Sequence, residues 1–306
     1  TPASAPTPLQ QFLRVTEIQY NPQVDDTEFL ELTNISNGAS ATQLDLGGVS
    51  ISDGPSTPFV FPAGTTLEAG ERLLVVQDSA AMLAAYPSLS ASQIAGQYLG
   101  KLSNNGERIK VVGSGGETLF DVTYSDGDPW PIAADGYGAS LELIDPDNTP
   151  IHLLDKPYSW AASSNAGGTP GAGETEAFAI RINEVLSHTD VPQVDAIELY
   201  NDSVDDVDIG GWFLSDSGQN PLKYQIPAGT ILPAGGFIVF DESDFNPTPL
   251  TPGASDFALS GSHGDEVWLS IANQDGTQVE TLVDQVEFGA TFNGISIGRP
   301  EDGHGR

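Results

Sequence analysis

Phe29-Leu-Glu-Leu-Thr-Asn34, followed by Asp45-Leu-Gly-Gly48 and Pro62-Ala-Gly-Thr65, is the run that decides the fold, because the chain carries it twice. The second version reads Ile197-Glu-Leu-Tyr-Asn201, Asp208-Ile-Gly-Gly211 and Pro227-Ala-Gly-Thr230. Outward from this run the match continues. Val15-Thr-Glu-Ile-Gln-Tyr20 precedes the first version and Ile182-Asn-Glu-Val-Leu-Ser187 the second. Ile51-Ser-Asp53 answers Leu214-Ser-Asp216, and Leu67-Glu-Ala-Gly70 answers Leu232-Pro-Ala-Gly235. Each copy then enters an apolar run, Leu73-Leu-Val-Val76 or Phe237-Ile-Val-Phe240. The order is kept while the spacing shrinks, so the length differences fall in loops, one of them around Ala80–Gln97. Ordered self-similarity of this kind marks a duplicated domain.

Within each copy the local signal is strand. Glu28-Phe-Leu-Glu-Leu-Thr33, Ala196-Ile-Glu-Leu-Tyr200, Arg108-Ile-Lys-Val-Val112 and Glu266-Val-Trp-Leu-Ser-Ile271 are short and largely alternate apolar with polar residues. Gly-Gly, Asp-Gly and Pro-Ala-Gly punctuate them, and glycine (34) and proline (22) recur throughout, as many short strands with tight turns require. One helix is expected, Ser79 to Tyr86, with Ser79 as N-cap and Pro87 as stop. The expected fold is all-β, two tandem Ig-like β-sandwich domains. Residues 1–11, rich in Pro, Thr and Ala, read as an N-terminal linker, 12–173 as the first domain and 174–306 as the second. Ser163-Ser-Asn-Ala-Gly-Gly-Thr-Pro-Gly171 reads as a flexible, turn-rich connection at the end of the first domain.

The 306 residues suit two domains at roughly 100–200 residues each. Lys and Arg number 10 against 43 Asp and Glu, a net charge of −33, and both halves share the imbalance. So few cations leave no basic patch for phosphates or anionic headgroups, which argues against direct nucleic-acid binding and against anionic membrane surfaces. The bland account of the acidity is a soluble, self-repelling coat; the sharper one is that some carboxylates hold Ca²⁺. With no cysteine there are no disulfides, thiolate zinc sites or cysteine nucleophile. No run of about 18 apolar residues is present, so no membrane insertion by a helix is expected. The N-terminus lacks the charged start and apolar run of a signal peptide, as in a mature or excised chain.

The ordered set of Glu17 and Glu184, Glu31 to Asn34 and Glu198 to Asn201, Asp-Leu/Ile-Gly-Gly, Ser-Asp and Pro-Ala-Gly-Thr resembles the lamin-tail domain family, in two tandem copies. In the first copy the likeness continues through Leu102-Ser-Asn-Asn-Gly-Glu107, Trp130-Pro131, Asp135-Gly136 and Gly138-Ala-Ser-Leu-Glu-Leu143 to Gly168-Thr-Pro-Gly171. The second copy lacks the Trp-Pro stretch and has a shorter ending, Gly294-Ile-Ser-Ile-Gly298. The resemblance implies an Ig-like sandwich without catalytic residues. Its bacterial secreted and surface members look like accessory modules beside nucleases, phosphatases or adhesive repeats. The nuclear role of animal members does not carry over, because no heptad-repeat rod is present.

Motifs for chemistry are sparse. His152, His188, His263 and His304 lie far apart and show no His-Glu-x-x-His spacing, and no Gly-x-Ser-x-Gly elbow anchors a triad. No phosphate-binding glycine loop stands between a strand and a helix. The metal candidates are Asp25-Asp26-Thr-Glu28 and Asp205-Asp206-Val-Asp208, each able to offer three of the 6–8 oxygens that Ca²⁺ takes. The two clusters do not occupy equivalent repeat positions. Asp126-Gly-Asp128 and Asp145-Pro-Asp147 are shorter pairs. Of the four tryptophans, Trp212 and Trp268 read as core, whereas Trp130, in Asp-Pro-Trp-Pro, reads as a loop residue able to stack on a glycan. The expected function is a non-catalytic binding or adhesion module pair of an extracellular or cell-surface protein, with a protein or glycan partner or neighbouring domains of a longer chain. The alternative is a pair of accessory domains that position a separate nuclease, phosphatase or other hydrolase.

Overall fold

The computed structural model describes residues 5–127, 129–173 and 179–299, and the chain divides into two compact units, Thr1–Glu174 and Thr175–Arg306. Asp128 and His304 lie outside the described residues. The architecture is all-β.

The strands of the first unit are β1 (Leu13–Gln19), β2 (Phe29–Asn34), β3 (Leu44–Asp45), β4 (Ser50–Asp53), β5 (Phe59–Val60), β6 (Thr66–Leu67), β7 (Arg72–Val76), β8 (Ile94–Gln97), β9 (Arg108–Val112), β10 (Thr118–Thr123), β11 (Leu141–Leu143) and β12 (Trp160–Ala162). One sheet has the order β12-β11-β1-β2-β7-β8, the other β10-β9-β4-β5, and β3 pairs with β6 alone. All pairs are antiparallel except β7 with β8. Val15, Ile18, Leu30, Leu32 and Val75 of the first sheet share one core with Ile51, Ile109, Val111 and Val122 of the second. This is the sandwich that the alternating strands predict, each inner apolar row worth burying only against the other sheet.

The second unit repeats the plan with β13 (Ile180–Leu186), β14 (Ala196–Asn201), β15 (Val207–Asp208), β16 (Phe213–Ser215), β17 (Tyr224–Gln225), β18 (Ile231–Leu232), β19 (Phe237–Asp241), β20 (Asp265–Ala272), β21 (Val279–Phe288) and β22 (Ile297–Gly298). Its sheets are β19-β14-β13-β22 and β17-β16-β20-β21, with β15 on β18. Ile182, Ile197 and Leu199 meet Leu214, Val267 and Leu269 across the core. Trp212 and Trp268 are buried, as their sequence settings predict.

The repeated motifs hold the same loops in both units. Asn34 Nδ2 donates to the carbonyls of Thr42 (2.8 Å) and Leu67 (2.9 Å). Asn201 Nδ2 does so to Asp205 (2.9 Å) and Leu232 (3.0 Å). Asp45 and Asp208 each accept from the amide two residues on, Gly47 and Gly210, both at 2.9 Å. A Cβ on Gly210 would come within 2.4 Å of the Gly229 amide nitrogen. The Gly-Gly and Pro-Ala-Gly-Thr motifs are therefore two halves of one backbone contact, which accounts for their joint recurrence.

Three expectations need correction. The linker at 1–11 is too long, because Pro8–Phe12 forms one helical turn, α1, closed by a Thr7–Gln10 capping box, and its Leu9 and Phe12 pack on the core. The helix at Ser79–Ala85, α2, is capped by Asp78 rather than Ser79, the carboxylate accepting from the amides of Ala80 and Ala81. Ser163–Gly171 is no flexible connection: Ser163, Gly168 and Pro170 are buried.

Candidate functional site

The feature of the first unit with the most chemical potential lies on the outer face of its six-stranded sheet. Glu17 pairs in register with Glu142 on one side and Glu31 on the other, so three glutamates stand on one rung of β11, β1 and β2. A β-bulge between Val15 and Glu17 places them there, since the extra residue puts Thr16 and Glu17 on the same face. Thr16 Oγ1 then donates to Glu31 Oε1 at 2.8 Å. All three carboxylates are buried, at 2%, 0% and 4% exposure for Glu17, Glu31 and Glu142.

The cover is the Gly-Gly-Thr-Pro-Gly segment that begins at Gly167. The Thr169 amide donates to Glu17 Oε1 (2.9 Å) and the Gly171 amide to Glu31 Oε2 (2.8 Å). Thr169 Oγ1 donates to Glu142 Oε1 (2.9 Å), and Ser140 Oγ to Glu17 Oε1 (2.6 Å). The strap is held from above by Tyr86 Oη, which donates to the Gly167 carbonyl (2.7 Å), and by Gln93 Nε2, which donates to that of Gly171 (2.6 Å). Only glycine fits at 168. Its φ is +81°, and a Cβ would stand 2.0 Å from Glu17 Oε1. Beside the strap, Met82 and Leu89 pack on Phe29, Leu74 and Val76, covering the rest of the face.

The electrostatics follow from this enclosure. Burial pushes the Glu17 carboxyl up to about 8, and the neighbouring Glu31 charge adds to the shift; the Ser140 hydroxyl, the Thr169 amide and Arg72 act against it. Glu17 therefore keeps its proton at neutral pH. Glu31 is the partner of Arg72, whose guanidinium hydrogen-bonds Glu31 Oε1. A protonated carboxyl beside a second carboxylate is the electrostatic pattern of an acid/base pair. Here both carboxyl groups are buried, and the strap's Thr169 and Gly171 amides occupy them.

Two further acids, the buried Glu28 and the half-buried Glu107, are used in the same manner. Glu28 Oε2 accepts from Tyr98 Oη (2.8 Å) and the Leu102 amide (2.7 Å), and burial raises its carboxyl above the usual range. Glu107 Oε1 accepts from the Ser103 amide (2.6 Å), and burial raises it likewise.

The calcium candidates are not gathered into sites. Asp25 and Asp26 are exposed, whereas Glu28 turns into the core, so Asp25-Asp26-Thr-Glu28 does not present three oxygens to one point. In the second cluster Asp205 engages Asn201 through its carbonyl, Asp206 Oδ1 accepts from the Ala234 amide (3.0 Å), and Asp208 is committed to Gly210. Among the described residues no group of three or more His, Cys, Asp or Glu is placed to hold a metal ion. Asp145 bonds Asn148, His188 Nδ1 meets the Thr291 carbonyl (2.8 Å), and His263 Nδ1 meets Ser262 Oγ (2.9 Å). Trp130 is not the exposed loop residue its Asp-Pro-Trp-Pro setting suggests. It is 7% exposed and its ring lies 6.3 Å from that of Trp160, so it belongs to the core.

Each unit is thus an Ig-like β-sandwich module. The Lamin Tail Domain family model matches residues 7–126 and again 174–290, and the chain belongs to that family, as two tandem copies. The match to the first unit stops short of the strap. No curated protein matches the chain.

Proposed function

We propose that this chain is a non-catalytic binding or adhesion module pair of a secreted or cell-surface protein, and that its partner is a protein or a glycan. The observation that carries the reading is the sealed glutamate row. The acid/base-like pair of carboxylates Glu17 and Glu31 is engaged in fixing Gly168-Thr-Pro-Gly171, so its role is to hold a shape. A rigid module with chemistry turned inward and a strongly acidic surface acts by presenting that surface. The net charge of −33 directs it to neutral or basic partners and away from nucleic acid.

The test is to immobilise the full chain and present it with a glycan array and a panel of secreted and surface proteins, while assaying the same preparation against phosphodiester, phosphomonoester and glycoside substrates. Saturable binding without turnover is expected. Turnover that co-purifies with the chain, or no saturable binding anywhere on the panel, would overturn the reading.

A further inference from the structure

The two units carry the same sheet face in two conditions. In the first, β1 is buried on both sides and the strap lies over Glu17 and Glu31. In the second, the same bulge recurs between Ile182 and Glu184, and it sets Glu184 opposite Glu198 as Glu17 stands opposite Glu31. The supporting bond is repeated as well. Asn183 Nδ2 donates to Glu198 Oε1 (3.0 Å) where Thr16 donates to Glu31. Yet Glu184 is exposed and Glu198 only half-buried. The flanking positions have changed in a matching direction. Where Thr33 pairs with Arg72 and Glu31 with the buried Leu74, the second unit pairs Tyr200 with Phe237 and Glu198 with Val239. Phe237 is 45% exposed and Val239 54%, and the Tyr200 and Phe237 rings lie 4.7 Å apart.

We infer that this face of the second unit is a receptor for an extended, uncharged Gly-Thr-Pro-Gly-type segment of a partner. The occupant is argued from the first unit, where a segment of that chemistry already sits on the equivalent rung. A strap of this kind brings backbone N–H donors spaced two residues apart, which is what two carboxylates on adjacent strands accept. Its glycines allow close backbone approach, and its proline gives an apolar ring that fits against Tyr200, Phe237 and Val239. An uncharged segment also escapes the repulsion that an acidic peptide meets on so acidic a chain. Main-chain donors supply the attachment and the aromatic pair the selectivity, as in other extended-peptide grooves.

The inference rests on the binding-module reading and names its partner class. The probe is a blocked peptide, acetyl-Ala-Gly-Gly-Thr-Pro-Gly-Ala-amide, matching residues 166–172, titrated into the ¹⁵N-labelled full chain and followed by amide NMR. Saturable shifts are expected at Glu184, Glu198, Tyr200, Phe237 and Val239. Glu184→Ala, an exposed position that the fold tolerates, is expected to weaken binding about tenfold, the scale of one charge-assisted hydrogen bond. A peptide N-methylated at its threonine and last glycine is expected to lose binding. The inference is overturned by the absence of saturable shifts on this face, by shifts confined to 163–171 and the Glu17 rung, or by equal binding of the N-methylated peptide. Such a result with partners still captured on the array would remove this receptor face and leave the binding-module reading standing. Loss of both would remove the two together.

Discussion

At Glu17 burial and the charge of Glu31 act against the Ser140 hydroxyl, the Thr169 amide and Arg72, and burial wins. The consequence for stability has a definite sign. The folded-state pKa, about 8, lies above the ordinary value of 4.5, so the folded unit holds a proton that the unfolded chain releases. The contribution of Glu17 is then fully present below pH 4.5 and is lost as pH rises towards 8. Urea unfolding of the full chain, followed through hydrogen exchange of first-unit amides, should show stability falling between those limits. Glu17→Gln should flatten that dependence and leave the first unit more stable than the unsubstituted protein at pH 8. A profile that rises over the interval in the unsubstituted protein would mean that Glu17 is ionised in the fold. Little of this was legible in the sequence. Glu17 and Glu31 stand out as repeated letters, but Glu184 and Glu198 are the same letters in an open setting. What separates the two pairs is a cover that lies more than a hundred residues away in the chain.

Among the elements, strands were readable and their covers were not. β2, β9, β14 and β20 fall where alternation puts them, because the face turned to the core imposes a period of two, although β2 is buried on its other face as well. β8 escaped because Ile94-Ala-Gly-Gln97 has no such period and gains its place by parallel pairing with β7. The strap escaped for a stronger reason. Ser163–Gly171 has the composition of a loop, and what orders it is a set of carboxylates and amides contributed by β1, β2, β11 and the segment after α2. Trp130 follows the same logic, since it packs into the core beside Trp160, which is distant from it in sequence. The strap makes an element-level prediction. Gly168→Ala adds a clash with Glu17 to the backbone strain of a positive φ and should destabilise the first unit by about 3 kcal/mol in chemical unfolding. Gly64→Ala, at φ +85° with open space around its Cβ, should cost about 1 kcal/mol. Equal effects would show that the strap does not press on Glu17.

For the whole molecule, the duplication accounts for the sandwich pair and the net charge of −33 underlies the proposed choice of partner, while no group of three or more His, Cys, Asp or Glu among the described residues is placed to hold calcium. Thermal melts in EGTA, in excess Ca²⁺ and in Mg²⁺ at matched ionic strength should therefore coincide for the two cations. A rise specific to Ca²⁺ would mean that Asp25 and Asp26, or Asp205, Asp206 and Asp208, rearrange into a site, since a ligand at about 100 times its Kd adds about 2.7 kcal/mol. A loop-like strap is part of the first unit's folded core and seals its glutamates, whereas Glu184 is exposed and Glu198 half-buried on the equivalent face of the second unit. The most direct test is native-state hydrogen exchange at the Thr169 and Gly171 amides, the two that donate to Glu17 and Glu31. Protection comparable to that of the β1 and β2 amides, lost only with global unfolding of the unit, is expected. Exchange at the rate of an unstructured peptide, with β1 and β2 still protected, would contradict it.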